Sequence, residues 1–417
     1  MMEDKLMQRK INKHWKLVVI LLLFLVGGIV FFQLVCLERP TSFSEDDVAL
    51  EFVQRLEFEN RFVISISYDG RYALTHEQGE REIFVYEWVD ESFHFLKSIE
   101  GIPETWRLVD NGSIAWSHCG ERFSLSQALA FNYMSNSDIL ICDIKTGTIQ
   151  NLTGIAGKED APLVFRDGFY YDVLPRWSKD DKGIYFFRFG REDDETISRL
   201  CFVSLETGEV TNLLDFYDEE SAYQIMPTII RRNGTLFYTL LSPNVENGRA
   251  GIYKYVNGVE VLLFRREREE GKLVHLLDVS PDGDKIIYVC IYHTMNSQPE
   301  DSYHFFLASI ESPKEAHELQ PISSKGIIQG ILFSPDGATL MQMERDMEGL
   351  KVYVYLMDVM APAETQSLLY TGEYDPFFGW RYPLAGRLTN QLQPIWLSNG
   401  YIAINGEVPK LFRVVTR

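Results

Sequence analysis

The densest run of residues able to do binding chemistry lies near the C-terminal end. Tyr370, Tyr374, Phe377, Phe378, Trp380 and Tyr382 fall within thirteen residues together with Arg381, and Arg387 follows closely. Aromatic rings beside guanidinium groups are what partner hot spots and sugar-stacking platforms use. Tyr374, Phe377, Phe378, Trp380, Arg381 and Tyr382 are therefore the candidate binding set for a protein or polysaccharide partner. The alternative is a segment that folds back to plug a channel or packs on the last repeat. A second run, Arg191-Glu192-Asp193-Asp194-Glu195, gathers carboxylates, joined by Asp215, Asp218, Glu219 and Glu220. Asp193 and Asp194 are candidate ligands for a hard cation such as calcium, though the spacing is not that of an EF-hand loop. Solvated charge is the plainer reading.

Catalytic signatures are missing from the chain. There is no Gly-x-Ser-x-Gly elbow, no His-Glu-x-x-His, no Walker loop and no dinucleotide glycine fingerprint. Beyond the N-terminal region the histidines are His76, His94, His118, His275, His293, His304 and His317. None is paired at metal-ligand spacing, so each reads as a structural or surface residue. No cofactor is expected.

The elements that would position these groups are short apolar strands launched by tight turns. Ser280-Pro281-Asp282-Gly283 precedes Lys285-Ile286-Ile287-Tyr288-Val289, and Ser334-Pro335-Asp336-Gly337 precedes Ala338-Thr339-Leu340-Met341. Looser copies are Tyr68-Asp69-Gly70, Asp110-Asn111-Gly112, Trp177-Ser178-Lys179-Asp180, Arg232-Asn233-Gly234 and Leu397-Ser398-Asn399-Gly400. A strand-rich unit recurring about every 50 residues is the mark of a β-propeller. Residues 175–214 show one whole unit: Pro175–Ser178, Ile184–Phe189, Leu200–Leu205 and Val210–Leu214 as strands, with Thr207-Gly208-Glu209 turning the third into the fourth.

Pro175-Arg176-Trp177-Ser178, Val279-Ser280-Pro281-Asp282-Gly283 and Phe333-Ser334-Pro335-Asp336-Gly337, with strand-Thr-Gly-strand ending in Asn212-Leu213, resemble TolB-like propeller repeats. These are the WD-repeat-like units of bacterial exported proteins, and the resemblance covers about residues 60–417. Units 106–152 and 223–264 depart from it in lacking Ser-Pro-Asp-Gly. The resemblance implies an all-β propeller and says little about activity, because the repeated residues build turns and packing.

Seven blades are expected, over roughly 60–99, 106–152, 170–214, 223–264, 273–321, 326–370 and 391–417, with six as the alternative. The last unit has three strands. Residues 48–58 are the candidate for its fourth, since Leu50, Phe52, Leu56 and Phe58 alternate with Glu51, Val53, Arg55 and Glu57. Ser44-Glu45-Asp46-Asp47 capping a helix through Val48, Phe52 and Leu56 is the rival. In a four-stranded blade the first and third turns lie at one end, and the second turns and blade-to-blade segments at the other. The long segments 117–137, 153–172, 188–197, 242–250, 292–303 and 371–391 are all of the second kind. That long-loop face is therefore the expected binding surface.

The N-terminus bears on location. Leu17 to Leu37 is about 21 residues, apolar but for Gln33 and Gly27-Gly28, and long enough to span a bilayer as one helix. Lys5, Arg9, Lys10, Lys13 and Lys16 precede it against Glu3 and Asp4, which by the positive-inside bias keeps residues 1–16 cytoplasmic and exports the rest. A signal-anchor at the cytoplasmic membrane is expected; a cleaved signal or a lipoprotein anchored at Cys36 are the alternatives. Residues 38–59 read as linker and possible closing strand, and 60–417 as the propeller. Of the formal charge of −20, the first 36 residues contribute +3, leaving −23 for an exported body with no basic patch. That argues against nucleic acid. Cys142, Cys201 and Cys290 sit in apolar strands and read as small core residues, and Cys119 lies in a loop. The favoured expectation is a membrane-tethered, extracytoplasmic, non-enzymatic recognition or scaffold propeller. The alternative is a lactonase- or lyase-like propeller enzyme with its site at the channel mouth.

Overall fold

The computed structural model describes residues 48–55, 58, 62–67, 69–76, 82–102, 114–126, 137–154, 169–193, 195–216, 229–240, 250–265, 272–292, 303–313, 315–322, 326–346, 351–373, 395–396, 401–404 and 410–416. The chain divides into two compact units, 1–46 and 47–417, and the described residues belong to the second. The apolar segment 17–37 lies outside the described residues. Among those residues no helix is long and apolar enough to cross a membrane.

Every described element of regular structure is a strand, and the strands form seven four-stranded antiparallel sheets. The described residues open with β1 (Val48–Arg55). The first sheet follows as β2 (Phe62–Ile66), β3 (Tyr72–His76), β4 (Ile83–Val89) and β5 (Ser92–Ile99). The second is β6 (Ile114–Trp116), β7 (Arg122–Leu125), β8 (Leu140–Asp143) and β9 (Ile149–Asn151). The third is β10 (Phe169–Trp177), β11 (Gly183–Glu192), β12 (Glu195–Ser204) and β13 (Val210–Asp215). The fourth is β14 (Ile229–Arg232), β15 (Thr235–Leu240), β16 (Gly251–Val256) and β17 (Val259–Arg265). The fifth is β18 (Lys272–Val279), β19 (Lys285–Tyr292), β20 (Tyr303–Ser309) and β21 (His317–Leu319). The sixth is β22 (Gly326–Phe333), β23 (Thr339–Asp346), β24 (Lys351–Asp358) and β25 (Ser367–Glu373). The last contains β26 (Ile395–Trp396), β27 (Tyr401–Ile404) and β28 (Lys410–Thr416), with β1 paired to β28 from Val48↔Thr416 to Arg55↔Lys410. Residues 48–55 are thus a strand, not the rival helix.

Each of the six sheets built from consecutive strands is a simple meander whose first strand approaches the first strand of a neighbouring sheet. Side chains are buried between successive sheets, which is why the middle strands are apolar on both faces. Leu74, Val85, Trp116, Phe123 and Leu140 form one such cluster between the first and second sheets. Phe187, Leu200, Leu236 and Tyr238 form another between the third and fourth. Fourth strands, at the rim, leave Phe95, Val259, Val261 and Leu368 exposed.

Side-chain hydrogen bonds lace the first strands together. The Trp116 indole Nε1–H donates to Ser65 Oγ (2.9 Å), and that of Trp177 to the Ala115 carbonyl (3.0 Å). Arg232 donates to the Val279 carbonyl, and Asp278 accepts from both Arg232 and the Phe333 amide. These bonds satisfy polar groups that would otherwise be stranded in a close-packed interior.

Candidate functional site

The turn between first and second strand has one template in four sheets. Ser67, Ser178, Ser280 and Ser334 donate from Oγ to Oδ1 of the aspartate two residues on, Asp69, Asp180, Asp282 and Asp336, at 2.5–2.7 Å. That Oδ1 also accepts the backbone amide two residues further, from Arg71, Lys182, Asp284 and Ala338. The serine Oγ in turn accepts the amide that opens the second strand, at 2.8–3.0 Å from Tyr72, Gly183, Lys285 and Thr339. Gly70, Gly283 and Gly337 follow the aspartate at φ 74°, 80° and 74°, the left-handed region in which a Cβ is costly. Ser-x-Asp-Gly is thus a self-contained turn whose polar groups satisfy one another.

The fourth sheet has Asn233-Gly234 at this turn instead. Among the described turns that open with serine, those of the second and third sheets depart from Ser-x-Asp-Gly, and the departures meet. In the second sheet the turn reads Ser117-His118-Cys119-Gly120, with Cys119 where the others have aspartate, and Ser117 Oγ faces its sulfur at 3.3 Å. In the third sheet Asp181 stands in the glycine place, at φ 54°. The Asp181 carboxylate reaches across to the second sheet. Its Oδ1 accepts the His118 amide (2.8 Å) and lies 2.9 Å from His118 Nδ1, while Oδ2 accepts the Cys119 amide (3.0 Å). The residue that breaks the third turn's pattern therefore accepts two backbone amides of the second turn.

The same contacts define the imidazole. Arg231, on β14 of the fourth sheet, places Nη1 3.0 Å from His118 Nε2. A guanidinium can only donate, so Nε2 is the acceptor and Nδ1 carries the proton toward Asp181. The His118 ring is thus strung between a carboxylate on its third-sheet side and a guanidinium on its fourth-sheet side. Its side chain is 46% exposed and that of Asp181 13%, so the pair sits at the surface with the carboxylate tucked beneath. Burial alone would push the Asp181 carboxyl up, but the His118 amide and ring and the Cys119 amide hold it below the usual carboxylate range. Arg122 braces the arrangement, donating to the Asp181 carbonyl (3.3 Å) and lying 4.9 Å over the Trp177 ring. The cluster combines an oriented imidazole, a guanidinium and an exposed thiol, Cys119.

This cluster lies on the short-turn end of the sheets. The long segment expected over 117–137 at the opposite end does not begin there: β7 occupies Arg122–Leu125, and His118 is in a four-residue turn before it. The segment 188–197 is not a long loop either, because β11 and β12 extend to Glu192 and from Glu195 and meet in a two-residue hairpin. Long strands with a directly paired register leave no irregular chain there. Asp193 is an exposed hairpin residue at φ 50°, and Asp194 lies outside the described residues. Among the described residues no group of three or more His, Cys, Asp or Glu is placed to hold a metal ion. Tyr374, Phe377, Phe378, Trp380, Arg381 and Tyr382 all lie outside the described residues. His118, Asp181 and Arg231 were not singled out as site residues from sequence. The signal available was a mismatch between aligned turns: cysteine in an aspartate place, aspartate in a glycine place.

Comparison with known proteins places this architecture. An oligogalacturonate lyase from Vibrio parahaemolyticus superposes with a TM-score of 0.55 at 14% identity, covering 89% of this chain and 98% of that one. The chain is a β-propeller. TolB from Acinetobacter baumannii is also similar (TM-score 0.40, 16% identity, 80% and 67% covered). So is the propeller domain of the Trilobed protease from Pyrococcus furiosus (TM-score 0.44, 11% identity, 72% and 82% covered). No family model and no curated protein matches the chain. At these identities the likeness concerns the fold, which hosts enzymes and non-enzymes alike.

Proposed function

We propose that this chain is a membrane-tethered recognition propeller: seven blades closed into a ring by β1, anchored through residues 17–37, with the propeller outside the cytoplasm. It binds a protein partner at the channel mouth formed by the short turns of the second, third and fourth blades. The observation that carries the reading is the convergence of the two departures from the turn template on one exposed cluster, His118, Cys119, Asp181 and Arg231. A turn that only needed to be stable would keep Ser-x-Asp-Gly, as the first, fifth and sixth blades do. The aromatic set Tyr374, Phe377, Phe378, Trp380, Arg381 and Tyr382 is proposed as a second contact.

Two measurements test this. A reporter fused after Arg417 should be active only outside the cytoplasm. Coupling a bulky maleimide to Cys119 should abolish partner capture from a membrane extract. The same label on Met360→Cys in a Cys119→Ser background should leave capture intact, since Met360 is 80% exposed on another turn. Cytoplasmic reporter activity, or capture indifferent to the Cys119 label, sinks the reading.

One observation favours a second reading. A histidine whose Nδ1–H is held by a carboxylate is the arrangement of a general base, and it sits here beside an arginine. A lactonase- or lyase-like enzyme would use His118 in that role once a substrate displaced Arg231 from Nε2. Turnover of a lactone or uronate substrate that disappears in His118→Ala would favour it.

A further inference from the structure

We propose that the contact between His118 and Arg231 is a clasp across the mouth, closed while His118 Nε2 is unprotonated and opened as pH falls, and that the partner binds the clasped mouth. The inference rests on the mouth being the recognition surface and adds to it what regulates that surface.

The contact skips a blade. β10 of the third sheet packs beside both β6 and β14. Yet His118, in the turn after β6, reaches Arg231 on β14 at 3.0 Å. It does so over the turn that carries Asp181, whose carboxylate holds the ring through Nδ1 and is itself fixed by the His118 and Cys119 amides. The bonds Trp116–Ser65, Trp177–Ala115 and Arg232–Asp278, by contrast, each join neighbouring sheets. The clasp therefore ties the second sheet to the fourth, and the third sheet supplies the support on which the ring rests.

Nε2 closes the clasp as an acceptor, because a guanidinium has nothing but N–H groups to offer. Protonating Nε2 sets two N–H groups head to head at 3.0 Å, and one must withdraw. That conflict lies on the line between two atoms, so it holds whatever else the guanidinium touches. Asp181 acts in the opposite sense: its carboxylate keeps the Nδ1–H in either state and gains an ion pair once the ring is charged. Acid thus leaves His118 on the third sheet and releases it from the fourth. The other polar groups around the ring do not bridge those sheets. Arg122 is turned to the Asp181 carbonyl and the Trp177 ring, Asp180 is bonded to Ser178 within its own turn, and Cys119 is held through its amide by Asp181. The His118 side chain is 46% exposed, so the proton comes straight from solvent, and imidazole is the side chain suited to a change of charge near neutrality. A clasped mouth presents its turns in one arrangement, whereas an opened one must order them again on binding.

The test follows the full-length protein in detergent from about pH 7.5 to about pH 5 through its side-chain nitrogen resonances. Those of His118 and Arg231 should change together, and the Arg231 change should be absent from His118→Gln. Arg231→Leu removes the bond that needs an unprotonated Nε2, so its His118 should bind the proton about tenfold more tightly. Membrane-extract proteins retained by the immobilised wild type should fall roughly tenfold between the two pH values. In His118→Gln, at whatever level it captures, that ratio should be close to one, since the amide keeps an acceptor for Arg231 and takes no proton. Arg231 resonances that ignore the His118 titration, or an unchanged proton affinity in Arg231→Leu, overturn the clasp. A fall in capture that persists in His118→Gln overturns the regulation. Loss of capture on labelling Cys119 together with any of those results leaves the mouth as the recognition surface and removes the clasp from its control. Capture indifferent to the Cys119 label, with His118 and Arg231 titrating together, removes the recognition reading and leaves the clasp.

Discussion

Asp172 and Arg188 face each other across β10 and β11 in register, joined by two bonds of 2.8 Å, with the Asp172 side chain 1% exposed. Burial pushes the Asp172 carboxyl up and Arg188 opposes it, while the carboxylate keeps the guanidinium firmly charged. Arg188 also lies 4.3 Å over the Tyr170 ring. The pair is buried, so breaking it strands one charge. Arg188→Met should cost about 3–5 kcal/mol, and Asp172→Leu combined with Arg188→Met should recover much of that. Urea unfolding of the wild type, Arg188→Met, Asp172→Leu and the double variant measures both. Additive losses in the double variant would show that the pair is not coupled.

His275 on β18 is 4% exposed, and burial pushes its imidazole from 6.5 down to about 4. The unfolded chain therefore binds a proton that the folded chain does not between those values. This contribution is complete above pH 6.5 and is lost as pH falls toward 4, by about 3 kcal/mol in total. His275→Gln should flatten the slope of stability against pH in that window by about one proton. An unchanged slope would show that His275 is not the group responsible.

Restoring the repeat should uncouple stability from the site. Asp181→Gly relieves a left-handed non-glycine residue, worth up to about 1 kcal/mol, and removes bonds to the His118 and Cys119 amides of comparable size. The unfolding midpoint should therefore move little. The His118 ring should lose its fixed Nδ1–H tautomer, visible in its nitrogen resonances. A retained tautomer would mean that Asp181 does not set it.

Thiol reactivity should divide sharply. Cys119 is exposed, whereas Cys142, Cys201 and Cys290 are buried free thiols. Burial drives the Cys142 thiol far up and that of Cys201 to about 12, so neither offers thiolate near neutrality. Iodoacetamide on the native protein should modify Cys119 alone among these four, as read by peptide mass. Modification of Cys201 before unfolding would contradict its burial.

Local chemistry and distant contact divide what was legible. Ser280-Pro281-Asp282-Gly283 and its copies are closed hydrogen-bonded units within six residues, so their residue types announce a turn wherever they occur. The all-β architecture and most strand positions follow from those turns and the apolar runs between them. Residues 48–55 were ambiguous because Val48, Leu50, Phe52 and Leu56 suit either a strand or a helix face. The choice came from pairing with β28, more than 350 residues away in the chain. His118, Asp181 and Arg231 are ordinary residues one at a time, with Asp181 63 and Arg231 113 residues from His118 in the chain. Only the packing of successive blades brings the three together, because each inter-blade contact is made by side chains whose partners no local periodicity encodes.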